Sequence, residues 1–328
     1  MTADPWRDRV LLVTGGTGSL GQALTRFALD RLPLKTLRIF SRDELKQWEM
    51  RQRFGDERLR FFLGDVRDRD RLFRACEGVD VVVHAAALKQ VPACEYNPME
   101  AIKTNVLGSA NVVDAAIDAG VGQVLAISTD KAVNPVNLYG ATKLCAEKVI
   151  VQGNAYTGGR PTRCSATRYG NVLGSRGSVV PFFLEQRERK VLPITDLRMT
   201  RFWITLPQAV EFVLGCVERM QGGELFVPWL PTVRVVDIAA AVAPECRLVE
   251  VGIRPGEKLH EVLLTEEETR RTWDCDRGFV VAPEPAWRGW QPERGAERLP
   301  EGFRYSSEGG AGRLTVEEIA AVIGGVER

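Results

Sequence analysis

The sequence predicts an α/β protein: a Rossmann-like, doubly wound parallel sheet with a smaller, sequence-discontinuous substrate-binding lobe. Three observations carry that prediction. The first half alternates short β-rich runs with longer amphipathic ones, which builds a parallel sheet with right-handed crossovers. The run at 79–84 has almost no polar alternation, as in a central strand covered on both faces. Between the first strand and the first helix lies a glycine-rich turn.

Taken in order, strands are expected at 10–14, 37–40, 59–63, 79–84, 124–128 and 163–168. Helical patterns occupy 20–32, 44–54, 68–76, 99–119 and 139–152. Beyond residue 174 the alternation weakens. A flexible loop is expected at 174–177, a helix at 179–189, a loop at 193–196, a helix at 206–220 and a strand at 224–227 that rejoins the main sheet. This divides the chain into a dinucleotide-binding domain, 1–175, completed by a helix and strand within 206–228. Residues 176–205 and 229–328 make the lobe. Thr315 and Glu318 have capping-box spacing and start the last helix.

Composition narrows the function. At 328 residues, with 45% hydrophobic and 27% charged residues, the chain can bury a full core. A net charge of +1 gives no case for nucleic acid or an anionic membrane, so an anionic ligand needs a local cluster. Seven scattered cysteines without a Cys-x-x-Cys pair read as reduced thiols. Two histidines, His84 and His260, leave few ligands for zinc, and no metal is expected. The N-terminus lacks the apolar core of a signal peptide, and no apolar run approaches the ~18 residues of a membrane span. A soluble, cytoplasmic protein is expected.

Gly15, Gly18 and Gly21 follow the first strand directly. They permit a tight turn, close backbone approach to a pyrophosphate and close helix–strand packing. With Thr17, Ser19 and Leu20 they place free amides and a helix dipole at the phosphates. The second strand ends in Ser41-Arg42, where an NAD-binding protein usually has an acid. A hydroxyl and a guanidinium suit a 2′-phosphate, which points to NADP, with Asp43 and Lys46 close by. Asp43 has the alternative of capping the next helix. Asp65 and Val66 are placed to meet the adenine. Ala85 and Ala87 leave room over the fourth strand, though small residues there could equally be packing.

Tyr139 is the one tyrosine of five with a lysine four residues on, Lys143, on the same helix face. Free tyrosine has a pKa near ~10, too high for a useful base. A neighbouring ammonium and a cationic nicotinamide would favour phenolate. Just upstream stands Ser128-Thr-Asp-Lys131.

Together these features resemble the extended short-chain dehydrogenase/reductase superfamily. Within it the chain is similar to the configuration-inverting UDP-N-acetylglucosamine 4,6-dehydratases, which begin pseudaminic acid synthesis. The resemblance runs from Leu12 to the final helix. It includes Ser41-Arg-Asp-Glu-Leu-Lys46, Gly64-Asp-Val-Arg-Asp68 and His84-Ala-Ala-Ala-Leu-Lys89. It continues through Ser128-Thr-Asp-Lys131, Asn137-Leu-Tyr-Gly-Ala-Thr-Lys143, Arg168-Tyr-Gly-Asn-Val172 and Met199-Thr-Arg-Phe-Trp-Ile204, and ends in the motif at 252–261. Two departures stand out: Phe40 replaces a tyrosine-type strand end, and Gln90 stands where histidine is expected. Dehydratases that retain configuration show Thr-Asp-Glu, where this chain has Lys131.

The resemblance implies NADP, a UDP-sugar substrate and a homo-oligomer. It implies oxidation at carbon 4 with Tyr139 as base, Lys143 orienting the nicotinamide ribose and Thr129 as the third hydroxyl partner. Lys131 then takes the carbon 5 proton, which requires its pKa to be depressed, and Asp130 protonates the hydroxyl leaving carbon 6. The implied product is UDP-2-acetamido-2,6-dideoxy-β-L-arabino-hex-4-ulose. The other reading of Lys131 is a structural ion pair with Asp130. Lys89, Asn171, Val180, Thr195, Met199, Arg201, Arg254 and Glu257 fall in matching motifs as substrate groups, Lys89 also facing the cofactor. Asn105 is placed near the nicotinamide, where it could instead brace the sheet. A UDP-sugar 4-epimerase, a reductase and a non-catalytic NADP sensor remain as alternatives. Asp130 and Lys131 speak against the epimerase, and the intact Tyr139–Lys143 pair speaks against the sensor.

Overall fold

In the computed structural model, which describes residues 4–175, 178–284, 289–309 and 312–326, strand β1 (Val10–Thr14) is buried along its whole length. It pairs in parallel with β2 (Thr36–Ser41) on one side and β4 (Val81–His84) on the other. β3 (Leu59–Leu63) continues beyond β2, and β5 (Gln123–Ile127) and β6 (Arg163–Thr167) continue beyond β4, all parallel. The order of strands reverses between β1 and β4, which opens a crevice at their carboxyl ends. All four residues of β4 are buried, as its uninterrupted apolar run requires.

The strand Leu225–Val227 does rejoin this sheet, parallel to β6. The sheet then extends further, to ten strands, through Gly278–Val281, Thr272–Cys275 and Glu297–Arg298, each antiparallel to its neighbour. The sequence had assigned that stretch to the lobe. Antiparallel neighbours need only a short turn, here residues 276 and 277, so no strand–helix alternation marks them.

The lobe is built from a three-stranded sheet (Thr232–Arg234, Thr200–Ile204, Asn171–Val172) and the parallel pair Val191–Ile194 and Arg247–Glu250. Its core is separate and contains Val180, Phe183, Leu192, Ile194, Met199 and Trp203. The loop expected at 193–196 is therefore half strand. Pro193 tolerates this because a two-stranded sheet has only edges. The helix expected at 179–189 is α-helical over Val179–Gln186 and ends in a tighter turn. Of the loop expected at 174–177, residues 176 and 177 lie outside the described residues. The capping box forms: Glu318 N donates to Thr315 Oγ1, and Thr315 N to the Glu318 carboxylate.

The pattern at 99–119 is not one helix. Pro98–Ala101 leads into a π-helical stretch, Ile102–Leu107, before α-helix resumes at Gly108–Asp118. Among the described residues no helix is long and apolar enough to cross a membrane, and no disulfide forms.

Candidate active site

A cleft of about 810 Å³ lies over the carboxyl ends of the parallel strands. The glycine turn lines it with Gly15, Thr17, Gly18, Ser19, Leu20 and Gly21, and the end of β2 with Ser41, Arg42, Asp43 and Lys46. β3 is followed by Asp65 and Val66, and β4 by Ala85, Ala87 and Lys89, on the same wall. Of the residues expected at the cofactor, all but Asn105 line this space.

The turn needs its glycines for stated reasons. Gly15 has φ +67°, and a Cβ there would come within 2.8 Å of the Ala86 backbone. A Cβ on Gly21 would be driven into the carbonyl oxygen of Gly16, so the first helix (Ser19–Arg31) can sit this close only without one. Gly18 caps that helix without a side chain, leaving its first turn open to an anion.

At the adenosine end, Ser41 Oγ accepts from Gln47 Nε2 at 3.0 Å. Asp43 has taken the alternative role: it caps the helix Glu44–Phe54 by accepting from Lys46 N at 3.0 Å, and it pairs with the Lys46 ammonium. The Arg42 side chain is 53% exposed, with Nη1 3.6 Å from Asp65. Asp65 is held mainly by Arg67, at 2.7 Å. Arg42 and Lys46, the latter paired with Asp43, put two cations at the end of the second strand.

Tyr139 and Lys143 sit on the helix Leu138–Gln152, which Asn137 caps by accepting from Gly140 N at 2.7 Å. Gly140 lets this helix press against the Lys131 carbonyl, where any Cβ would collide. Lys143 Nζ donates to the Ile127 carbonyl at 2.7 Å. Burial lowers its pKa to about 8, with Glu147 pulling the other way. The Tyr139 phenol, hydrogen-bonded to Thr129, is pushed up to about 12 by burial, against the pull of Lys131. The sequence reading joined a neighbouring ammonium to a cationic nicotinamide; the ammonium of Lys131 by itself leaves the phenol above its ordinary value.

Asp130 is fully buried. Its Oδ1 accepts from Thr129 Oγ1 at 2.8 Å and from Lys131 Nζ at 3.0 Å, while Oδ2 has no hydrogen-bond partner. Burial raises its pKa and favours the proton-bearing acid, although Lys131 opposes this. The lowered pKa that a base would need is not found at Lys131 in the protein without a bound dinucleotide. Burial lowers its pKa, but Asp130 and Glu261 outweigh burial and hold the ammonium above its ordinary value. The ion pair with Asp130 is real, and Glu261, at 3.4 Å, was missed. The signal for it was its place at the end of the motif at 252–261.

Asn105 is turned away from the cleft. Its amide exchanges hydrogen bonds with the Leu88 backbone at 2.8 and 2.9 Å and donates to Thr142 Oγ1 at 3.0 Å. It braces the loop after β4 against the catalytic helix from within the π-helical stretch, a distortion typical of functional sites.

Among the expected substrate groups, Lys89 and Asn171 line the cleft, Asn171 with an unpartnered buried Oδ1. The unpartnered hydroxyls of Thr104 and Ser178 line it too and were not foreseen. Val180 and Met199 are packed in the lobe core, and Thr195 Oγ1 is 3.7 Å from Met199 Sδ. Arg201 donates to the carbonyls of Thr200 and Leu259. Arg254 and Glu257 bond to each other across an exposed turn. These six do not line the cleft. His84 is structural: Thr14 and Ser109 bond its two ring nitrogens, and burial lowers its pKa to about 3. Among the described residues no group of His, Cys, Asp or Glu is placed to hold a metal ion.

Residues 11–283 match the family model described as "Polysaccharide biosynthesis protein". A Campylobacter jejuni protein named UDP-N-acetylglucosamine 4,6-dehydratase (inverting) is 46% identical over 327 residues, covering 97% of this chain and 98% of that one. A Rickettsia felis protein named UDP-glucose 4-epimerase is 44% identical, with 84% and 83% covered. The crystal structure of Pen from Bacillus thuringiensis superposes with a TM-score of 0.92 at 34% identity, covering 99% of both chains.

Proposed function

The chain belongs to the polysaccharide biosynthesis protein family, and on that footing we propose that it is an NADP-dependent hydro-lyase that removes water from UDP-N-acetylglucosamine with inversion at carbon 5. One observation carries the reading: Lys131 lines the cleft with Tyr139 and the dinucleotide cradle, and behind it is paired with the buried Asp130. The relative named as the inverting dehydratase supports the substrate, over nearly the whole chain.

The lining suits the cofactor: the first helix starts at Gly18 without a side-chain cap, which suits a pyrophosphate, and Arg42 and Lys46 at the end of the second strand support the reading of a 2′-phosphate. When bound there, the dinucleotide would supply the hydride chemistry at carbons 4 and 6. The protein moves the protons. Tyr139 as phenolate takes the proton of the carbon 4 hydroxyl, aided by Thr129 and Lys143. Lys131, once it has passed its resting proton to Asp130, takes the proton from carbon 5, made acidic by the new ketone. Asp130 gives its proton to the carbon 6 hydroxyl, which leaves as water. Carbon 5 regains a proton on the opposite face, so the net change is loss of one water. Entry into pseudaminic acid synthesis, a cytoplasmic location and homo-oligomeric assembly belong to the same proposal and rest on the resemblance.

A 4-epimerase reading has the support of the Rickettsia relative, but epimerisation requires neither a second acid nor a second base. It leaves the cost of burying two carboxylates, Asp130 and Glu261, against Lys131 without a purpose. Incubating the purified protein with UDP-N-acetylglucosamine and following product mass and proton NMR decides between them. A product lighter by one water with a carbon 6 methyl doublet is expected; an isomer of unchanged mass would overturn the proposal.

A further inference from the structure

The lobe delivers a second carboxylate to the elimination residues. Glu261 is 2% exposed, with Oε1 3.4 Å from Lys131 Nζ and 3.9 Å from Arg201 Nε. Its Oε2 is 3.7 Å from Lys258 Nζ and accepts no hydrogen bond. The backbone beneath it is fixed from both directions. Glu261 N donates to Ser307 Oγ at 2.9 Å, and Ser307 N donates to the Glu261 carbonyl at 2.8 Å. Lys258 Nζ donates to the Val133 carbonyl at 2.6 Å, which ties this segment to the turn carrying Asp130 and Lys131. The Lys131 side chain is 27% exposed, and Lys131 lines the cleft. It is therefore gripped from behind by two carboxylates, one on its own turn and one on the lobe.

We propose that Glu261 is a positioning residue for the elimination: its carboxylate holds the Lys131 ammonium beside Asp130 and fixes how protons are shared between the two. The inference rests on the reading of Lys131 and Asp130 as base and acid. The groups facing Lys131 are Asp130 on its own turn, Tyr139 on the catalytic helix, Lys89 after β4, and Arg201, Lys258 and Glu261 from the lobe. In that setting the charge of Glu261 favours the protonated form of both Asp130 and Lys131. It keeps the acid loaded, and it sets how readily the base gives up its resting proton.

The test is the pH dependence of carbon 5 proton exchange, followed by NMR with UDP-N-acetylglucosamine and NADP in heavy water, beside single-turnover NADPH absorbance. In Glu261→Gln the loss of one negative charge must lower both titrations. The two limbs of the exchange profile are expected to move to lower pH by about 1 unit or more, the size expected of a charge at this range. NADPH formation is expected to stay within about twofold, because oxidation at carbon 4 uses neither group. Glu261→Asp, which withdraws the carboxylate by one methylene, should fall between wild type and Gln, and it carries the test if the Gln variant is too unstable to assay. Unmoved limbs, with exchange either unchanged or reduced uniformly, would overturn the inference. Lys131→Ala separates the two levels. If that variant still exchanges the proton, the assignment of the base fails and this inference with it. If it does not, and the Glu261 profiles stay in place, only the inference falls.

Discussion

Arg168 donates from Nε and Nη2 to the two oxygens of Glu147, at 2.9 and 2.7 Å, one helical turn beyond Lys143. Both side chains are buried, and Arg168 also reaches the Leu263 carbonyl at 3.1 Å and Glu268 at 2.9 Å. Ser128, just before Thr129, donates to the same Glu147 carboxylate. One guanidinium thus locks the helix Leu138–Gln152, the end of β5 and the strand Val262–Leu264 to one another. Its substitution by Met should cost about 3–5 kcal/mol, because Glu147 is left buried and unpaired. Urea unfolding checks this, and a loss under about 1 kcal/mol would show that the network is not holding the site.

Gly21→Ala should weaken the fold and the cofactor site together. The added methyl meets the Gly16 carbonyl, so the first helix must shift away from the phosphate turn. A loss of about 1–3 kcal/mol is expected, as for other forced contacts in packed interiors, with dinucleotide affinity falling in parallel. Thermal unfolding with and without NADP measures both.

Arg42→Ala should remove roughly 1.5–3 kcal/mol of NADP binding, the range for a charge-assisted hydrogen bond, and leave NAD binding almost unchanged. Calorimetric titration of both dinucleotides is the check. Equal affinity of the wild-type protein for NAD and NADP would contradict the 2′-phosphate assignment.

Tyr139→Phe should lower turnover by ~10²–10⁴, as for other positioned bases, with little change in the unfolding temperature. Its neighbour Lys143 makes a pH prediction. Burial holds its pKa at about 8, against 10.5 as the ordinary value. The unfolded chain therefore binds more protons between those values, and this residue's contribution to stability rises with pH across that window. Lys143→Met should abolish that rise. The gap in stability between variant and wild type, on the order of 1–3 kcal/mol at its extremes, should move in favour of the wild type as pH climbs from 8 to 10.5. A gap that does not change with pH would contradict the burial of a titrating ammonium.

Much of the sheet domain was legible because parallel strands must alternate with crossover helices, and the glycine turn is a local requirement of backbone geometry. The hairpin at Thr272–Cys275 and Gly278–Val281 was not, because antiparallel strands carry no such punctuation. The π-helical stretch around Asn105 was hidden because its side-chain pattern is that of an α-helix; what distinguishes it is the grip of Asn105 on Leu88. For Lys131, the lowering by burial was foreseen, but not that carboxylates outweigh it. The outcome depends on Glu261, which lies 130 positions away in the chain and comes near only after folding. The pocket end of the substrate site was read from Lys89 and Asn171, while Ser178 and Thr104 show themselves only as buried hydroxyls without partners.

The central claim is that Asp130 and Lys131 perform an elimination that oxidation at carbon 4 does not need. Asp130→Asn keeps the shape of the side chain and removes its acidic proton. Single-turnover absorbance should then show NADPH forming at close to the wild-type rate, while the dehydrated product is delayed by ~10²–10⁴, so that the reduced cofactor accumulates. Dehydrated product appearing from Asp130→Asn at the wild-type rate, with no accumulation of NADPH, would contradict the account.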